Sequence, residues 1–124
     1  LRNISDIKDS YKLFQNKNAS KLITANYARK NPFFNQVMVK NNNVQLVKRS
    51  KSVIVRRQSA PKIYDMNASI YIFSRQTLIR SNKIFPKNTI IYLMPEDRSV
   101  DIDNKLDFQI VEMLLKKKLK IKYE

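Results

Sequence analysis

Residues 69–94 read SIYIFSRQTLIRSNKIFPKNTIIYLM, and this stretch indicates the fold class. Its first part, Ser69–Phe73, is rich in β-branched and aromatic residues, which favours a strand. Arg75–Ser81 is expected to form a short helix, and Thr89–Met94 a buried strand that Pro95 ends. The strand–helix–strand order is typical of an α/β domain.

The residues before this stretch predict a helix, two short strands and a hairpin. Residues 4–17 are expected to be helical with Asn3 as the N-cap. The apolar residues that recur on one face of this helix are Ile4, Ile7, Tyr11 and Phe14. Short strands are expected at Leu22–Ala25 and Ser52–Val55. Gln36–Lys40 and Val44–Lys48 should pair as a hairpin, because Asn41–Asn43 between them tolerates the positive φ of a turn.

The remaining segments are a connector and a final helix. Residues 56–67 are polar and are expected to be a connector. The final helix should begin near Asp103 or Asn104. Its apolar stripe is predicted to be Leu106, Ile110, Val111 and Leu114.

Composition narrows the functional classes. The 124 residues suit one compact domain, and 43% of them are hydrophobic. No apolar run approaches the roughly 20 residues that span a bilayer, so we expect a cytoplasmic protein without membrane contact. Cysteine and histidine are absent, which excludes disulfides, thiolate metal sites and the commonest general base.

Glycine is absent as well, although proteins average about 7% of it. Enzymes that bind nucleotides normally need glycine where the backbone meets phosphate. The chain either has another function or lacks the glycine-bearing part, and its start at Leu1-Arg2 favours the second interpretation. The net charge is +15, but only Lys116–Lys120 forms a basic cluster, so a solvated surface is favoured over nucleic-acid binding.

Two segments carry candidate chemistry. In an extended stretch, Asp101 and Asp103 point to one side and could bind a hard cation such as Mg²⁺; alternatively Asp103 caps the last helix. The guanidinium groups of Arg56 and Arg57, with Gln58, could bind carboxylate or phosphate, although a solvated basic loop is the simpler reading.

A third candidate pair is Asn67 and Tyr71. Asn67 is expected just before a strand, where its amide could face a ligand. A turn residue at Asn67 and a core position for Tyr71 are the alternatives.

Together these segments resemble one family, the acylneuraminate cytidylyltransferases. The motifs that carry the resemblance occur in the family's order: Leu1-Arg2, Asn31-Pro-Phe-Phe-Asn35, Arg56-Arg-Gln-Ser-Ala-Pro61, Tyr64-Asp-Met-Asn-Ala-Ser-Ile-Tyr-Ile72, Met94-Pro-Glu96, Ser99-Val-Asp-Ile-Asp103 and Leu106-Asp-Phe108. Ser59 departs from the family, which usually has an acidic residue there. The family's glycine-containing phosphate loop has no counterpart.

The resemblance implies a partial nucleotidyltransferase-like (Rossmann-like) mixed sheet. It also implies transfer of CMP from CTP to a nonulosonic acid such as a sialic acid. Residues 1–124 would be the C-terminal portion of one such domain, without the N-terminal CTP-binding half, and inactive alone. Residues 33–58 would be a protruding hairpin that mediates a homodimer. The alternative is a non-enzymatic basic α/β domain that binds nucleic acid.

The resemblance also implies roles for individual residues. Arg57 and Gln58 would be catalytic, binding the acidic sugar and the reacting phosphate. Asp101 and Asp103 would hold Mg²⁺. The residues expected to line the sugar pocket are Asn67, Tyr71, Ile84 and Phe85. Which nonulosonic acid is used stays open.

Overall fold

The computed structural model describes residues 1–50 and 56–123, so the predicted strand Ser52–Val55 lies outside the described residues. The chain forms two compact units, Leu1–Asn26 with Met66–Glu124, and Tyr27–Asp65. In chain order the helices and strands are α1 (Ile4–Asn16), β1 (Lys21–Tyr27), β2 (Val37–Lys40), β3 (Asn43–Leu46), β4 (Tyr64–Phe73), α2 (Arg75–Arg80), β5 (Thr89–Leu93) and α3 (Lys105–Tyr123).

The first unit is built on a three-stranded sheet with the order β4-β1-β5. Strands β1 and β5 are parallel, with Lys21 opposite Thr89. Strand β4 is antiparallel to β1. The Ser74 N–H bonds to the Ser20 C=O at one end of the pair, and Ile70, earlier in β4, contacts Thr24, later in β1. The sheet is therefore mixed, and the predicted α/β class is confirmed.

The centre of this sheet is the most buried part of the unit. Strand β1 has neighbours on both sides, so its residues Lys21–Ala25 are all buried. Its apolar members Leu22, Ile23 and Ala25 form the core together with Ala19 and Met94. The edge strand β5 differs from the prediction, because Ile91 and Leu93 on one of its faces are exposed rather than buried.

Helix α1 begins as predicted, but the face that is buried is a polar one and not the predicted apolar one. Asn3 caps it, and Asp6 completes a capping box by accepting from the Asn3 N–H. Three of the four predicted apolar residues face outward instead, since Ile4 is 67% exposed and Ile7 and Tyr11 are also exposed, whereas Phe14 is half-buried. The buried residues are Asp6 and Ser10, because Asp6 is drawn inward by an ion pair with Arg98.

Asparagine takes over the turn positions that glycine usually occupies. The residues with positive φ are Asn18, Asn41, Asn42, Ala68 and Asn88. Asparagine visits the left-handed region more readily than other non-glycine residues, so a glycine-free chain can still make tight turns.

The second unit contains the predicted hairpin. Strands β2 and β3 pair antiparallel, with Val39 opposite Val44, and Asn41 and Asn42 make the turn. The base of the hairpin is held by the Lys48 N–H, which donates to the Pro32 C=O at 2.9 Å.

The predicted start of strand β4 needs correction, and the last helix agrees with its prediction at its start. Strand β4 begins at Tyr64, within the stretch expected to be a connector; Tyr64-Asp-Met lacks the β-branched alternation that would have revealed a strand. Helix α3 starts where expected, but its predicted apolar stripe is only partly covered: Val111 and Leu114 are half-buried, whereas Leu106 and Ile110 are exposed. Among the described residues, no helix combines the length and the apolar character needed to cross a membrane.

Candidate functional site

Asn67 lies inside strand β4, not before it, and its side chain is 2% exposed. Its amide nitrogen donates to Ser99 Oγ at 3.0 Å and contacts Met94 Sδ at 3.4 Å. Its amide oxygen accepts from Thr24 Oγ1 at 2.7 Å. This amide therefore joins β1, β4 and the segment after β5, and its predicted contact with a sugar remains a prediction.

Arg2 connects the backbone of Asn67 to Asp101, one of the two predicted metal ligands. Its guanidinium donates to the Asn67 backbone carbonyl at 3.1 Å and forms an ion pair with Asp101 Oδ1 at 2.6 Å. The same guanidinium group therefore contacts two residues that the sequence predicted for different parts of one site. The role of Arg2 was missed because an arginine 99 positions from Asp101 gives no local signal.

Asp103 is exposed and does not cap helix α3. Asn104 is the cap, since its Oδ1 accepts from the Asp107 N–H at 3.0 Å. The Asp107 carboxylate in turn accepts from the N–H groups of Asp103 and Asn104, each at 3.1 Å. The capping alternative for Asp103 is therefore not needed to explain this helix start.

Residues that alternate with the two aspartates face a different environment. Val100 and Ile102 line a cavity of about 230 Å³, which is also lined by Leu1, Arg2, Arg98 and Val111. Neither aspartate lines that cavity. That Asp101 and Asp103 share one side of the segment stays a prediction.

The donor set of this segment fits Mg²⁺. The described residues contain no group of three or more acidic, histidine or cysteine side chains placed to hold a metal ion. Mg²⁺ does not require such a group, because proteins usually hold it with one or two carboxylates while water and substrate phosphates complete the octahedron. Asp101 and Asp103 supply that minimal set.

A buried ion pair fixes the start of the segment that carries the aspartates. Asp6 Oδ2 and Oδ1 accept from Arg98 Nε at 2.9 Å and from Arg98 Nη2 at 2.8 Å. This bidentate hydrogen bonding lowers the pKa of Asp6 and outweighs the effect of burial. Burial raises the pKa of the neighbouring Tyr92 phenol, and the charges of Asp6 and Asp9 act in the same direction.

Three of the predicted sugar-binding residues meet around a lysine. The Lys21 ammonium donates to the Ile84 C=O at 2.6 Å and lies 5.9 Å from the Tyr71 ring centroid and 5.4 Å from that of Phe85. Tyr71, Ile84 and Phe85 are exposed beside it, so Tyr71 is not a core residue. Sequence reasoning missed Lys21, because a single lysine at the start of a strand carries no spacing signal.

Arg57 and Gln58 belong to the second unit. They lie in a 3-10 turn, Arg57–Ser59, that the Ser59 N–H closes by bonding to the Arg56 C=O at 3.0 Å. Gln58 is exposed. Their predicted catalytic roles stay predictions.

Comparisons with known proteins agree with the family resemblance. The chain is 45% identical over 118 residues to post-translational flagellin modification protein B of Campylobacter coli, covering 95% of the chain and 49% of that protein. It is 53% identical over 94 residues to the CMP-N,N'-diacetyllegionaminic acid synthase of Campylobacter jejuni, covering 76% of the chain and 39% of the synthase.

A more distant relative is the N-acylneuraminate cytidylyltransferase of Streptococcus agalactiae, which is 26% identical over 109 residues. No protein-family model matches the chain. The resemblance is confirmed: the chain is homologous to part of the acylneuraminate cytidylyltransferases, and it spans about half or less of the length of these relatives.

Proposed function

We propose that this chain is part of an enzyme that transfers CMP from CTP to a nonulosonic acid. The observation that carries the proposal is the 53% identity to a protein named as a CMP-N,N'-diacetyllegionaminic acid synthase. Identity to the N-acylneuraminate cytidylyltransferase is only 26%, which favours a diacetylated legionaminic acid as the sugar.

In this reaction the anomeric hydroxyl oxygen attacks the α-phosphorus of CTP. A bond forms between that oxygen and the α-phosphorus, and the bond from the α-phosphorus to the oxygen that bridges to the β-phosphate breaks. Pyrophosphate leaves with that oxygen, and the hydroxyl proton is released to water. Negative charge on the phosphates must be offset as this happens. Mg²⁺ supplies such compensation when bound, and we assign Asp101 and Asp103 to hold it.

The ion pair between Arg2 and Asp101 supports this assignment. A carboxylate that accepts a hydrogen bond from a guanidinium is held in one orientation. The second hydrogen bond of Arg2, to the Asn67 carbonyl, ties that orientation to the sheet. Arg2 therefore orients a carboxylate that has a further oxygen for a cation.

The other predicted residues are assigned by the same proposal. Arg57 and Gln58 bind the acidic sugar and the reacting phosphate through their donor groups. Tyr71, Ile84 and Phe85 form the wall of the sugar pocket, and Asn67, whose buried amide binds Thr24 and Ser99, supports that wall from inside strand β4. Exposure of all three wall residues supports a contact with a ligand.

A homodimer through residues 33–58 is also part of the proposal. It is supported by the exposed apolar side chains of the hairpin, Val37, Met38, Val39, Val44 and Val47. A lone two-stranded ribbon is marginal in water, and a second copy would cover these side chains.

The test uses a chimera in which the unmatched part of the Campylobacter jejuni synthase precedes Leu1. Pyrophosphate release from CTP is measured with N,N'-diacetyllegionaminic acid, with N-acetylneuraminic acid and without sugar. We expect Mg²⁺-dependent release that requires a sugar and is fastest with the legionaminic acid. The parent synthase, assayed in parallel, is the positive control.

Two results would count against the proposal. One is a folded chimera without turnover under conditions in which the parent synthase is active. The other is strong oligonucleotide binding by the 124-residue chain that weakens steeply with salt, which would favour the nucleic-acid alternative.

A further inference from the structure

Lys21 is a buried cation without a described counter-charge. As the first residue of strand β1 it is 7% exposed, and no ion pair joins it to a carboxylate among residues 1–50 and 56–123. Burying an ammonium group is costly unless something compensates its charge, and lysine is almost never buried alone. Its position therefore needs an explanation from the groups around it.

Aromatic rings supply the compensation. Lys21 Nζ lies 4.9 Å from the ring centroid of Phe73, 5.4 Å from that of Phe85 and 5.9 Å from that of Tyr71. All three are within the roughly 6 Å at which the negative face of a ring attracts a cation. The ammonium also donates to the Ile84 C=O at 2.6 Å. We call these five residues the Lys21 cluster.

The cluster joins three separate parts of the first unit. Lys21 is on β1, Tyr71 and Phe73 are on β4, and Ile84 with Phe85 lies in the connection from α2 to β5. Other hydrogen bonds anchor the end of this connection: the Ser20 hydroxyl donates to the Lys87 C=O, and the Ser20 N–H donates to the Asn88 C=O at 3.1 Å. Among the described hydrogen bonds and ring contacts, those of Lys21 are the ones that reach Ile84 and Phe85 themselves.

This arrangement holds the connection by its backbone and leaves its apolar side chains in solvent. The Ile84 carbonyl is bound to the ammonium while the Ile84 side chain is 74% exposed. Phe85 presents its ring to the cation and is still half exposed. An exposed apolar pair fixed in this way is suited to contact an apolar group of a ligand.

We propose that Lys21 is a positioning residue that fixes Ile84 and Phe85 as an apolar wall against the acylamino group of the sugar acid. The claim about the sugar rests on the proposed function. The claim that Lys21 fixes the wall stands on the cluster alone, so the two are tested separately.

The first experiment measures backbone ¹⁵N order parameters by NMR in the 124-residue chain. Lys21→Met keeps the length of the side chain and removes its charge, whereas Lys21→Arg keeps the charge. The exposed Lys83→Met, in the same connection, is the matched control. We expect Lys21→Met to lower the order parameters of Ile84 and Phe85 from about 0.85 to below about 0.6, because a buried cation–π contact and a charged hydrogen bond are lost.

Lys21→Arg should restore most of the order, and Lys83→Met should not change it. Phe73→Leu, which removes the nearest ring, should lower the order parameters of the same two residues, and it replaces Lys21→Met in the test if that variant does not fold. Unchanged order parameters at Ile84 and Phe85 in both Lys21→Met and Phe73→Leu would overturn the positioning role. A decrease spread evenly over the whole chain would overturn it as well.

The second experiment measures sugar binding by NMR of the ¹⁵N-labelled chain. The probes are N-acetylneuraminic acid and the nonulosonic acid that carries a hydroxyl in place of the acylamino group. We expect the unmodified chain to prefer the acylated sugar, Lys21→Met to lose that preference, and Lys21→Arg to retain it. An unchanged preference in Lys21→Met would refute the role of Lys21 in specificity.

If the unmodified chain binds neither sugar, the assignment of the wall to a sugar in this chain fails. The order parameters then still decide whether Lys21 positions Ile84 and Phe85. The failure of the sugar assignment and the failure of the positioning role are thus distinguishable.

Discussion

The buried ion pair between Asp6 and Arg98 should dominate the stability of the first unit, and Arg98→Met tests this. Asp6 is fully buried and accepts two hydrogen bonds from Arg98, at 2.8 and 2.9 Å. Methionine keeps much of the apolar stem but leaves the carboxylate without a counter-charge. Breaking a buried pair in this way costs about 3–5 kcal/mol. For a chain of this size, the melting temperature should fall by roughly 10–20 °C.

The structure offers a matched control in the other arginine–aspartate pair. Arg2 and Asp101 form an ion pair at 2.6 Å, but their side chains are 45% and 41% exposed. Water screens such a pair, so Arg2→Met should cost less than about 1 kcal/mol of unfolding free energy. Both variants make the same chemical change, and they differ mainly in the burial of the carboxylate that is left behind.

A second substitution separates buried charge from lost packing. Adding Asp6→Asn to Arg98→Met removes the buried charge and keeps an oxygen that can accept from the Asn3 N–H. The double variant should therefore be more stable than Arg98→Met alone, by about 2 kcal/mol or more. Urea unfolding followed by circular dichroism measures all four proteins. The reasoning is refuted if Arg98→Met costs no more than Arg2→Met, or if Asp6→Asn restores nothing.

The pH dependence gives an independent check. Hydrogen bonding to Arg98 holds the pKa of Asp6 below its ordinary value, so the folded state favours the ionised carboxylate. The resulting stability is complete above the unfolded pKa of about 3.9 and is lost as the pH falls through the lower folded pKa. The stability difference between the unmodified chain and the double variant should therefore shrink below about pH 4.

Three further predictions concern the metal site, the hairpin and a turn. In the chimera, Asp101→Asn and Asp103→Asn should each lower turnover by about 100-fold or more and weaken Mg²⁺ binding measured by calorimetry. The melting temperature should change little, because Asn104 caps α3. Near-normal turnover in both variants would mean that the two aspartates have a structural role. Val39 and Val44 lie opposite each other and are exposed, so replacing both with threonine should keep the strands and convert the dimer into a monomer. Light scattering measures the change, and an unmodified chain that is monomeric at high concentration would contradict the prediction. Ala68 has a φ of 46°, so Ala68→Gly should raise the free energy of unfolding in urea by about 0.5–1 kcal/mol. Ala28 has no positive φ, so Ala28→Gly should lower that free energy, and equal effects of the two substitutions would rule out strain at Ala68.

Local signals explain what the sequence predicted well. Helix α1 starts at a capping box between Asn3 and Asp6, α2 follows the Ser74 cap, and α3 follows Asn104. The hairpin turn depends on Asn41 and Asn42 alone. In each case the stabilising contact lies within about four residues, so its chemistry is visible in a short stretch of sequence.

The candidate site was predictable only residue by residue. Resemblance to a family selected Tyr71, Ile84 and Phe85, but nothing in their spacing showed that Lys21 gathers them. The alternation of Asp101 and Asp103 is a local property and could be read from the sequence. Whether Asn67 faces a ligand or the interior could not, because that depends on Thr24 and Ser99.

By itself the sequence determined where helices and turns begin, and that the class is α/β, because these depend on neighbours along the chain. Only the tertiary structure decided which face of α1 is buried. Periodicity favoured Ile4 and Ile7, but Arg98, 92 positions from Asp6, turned the polar face inward. A buried carboxylate is stable only beside its counter-charge, so Asp6 must face Arg98 in the interior. Ile4, Ile7 and Tyr11 therefore lie on the exposed side of the helix.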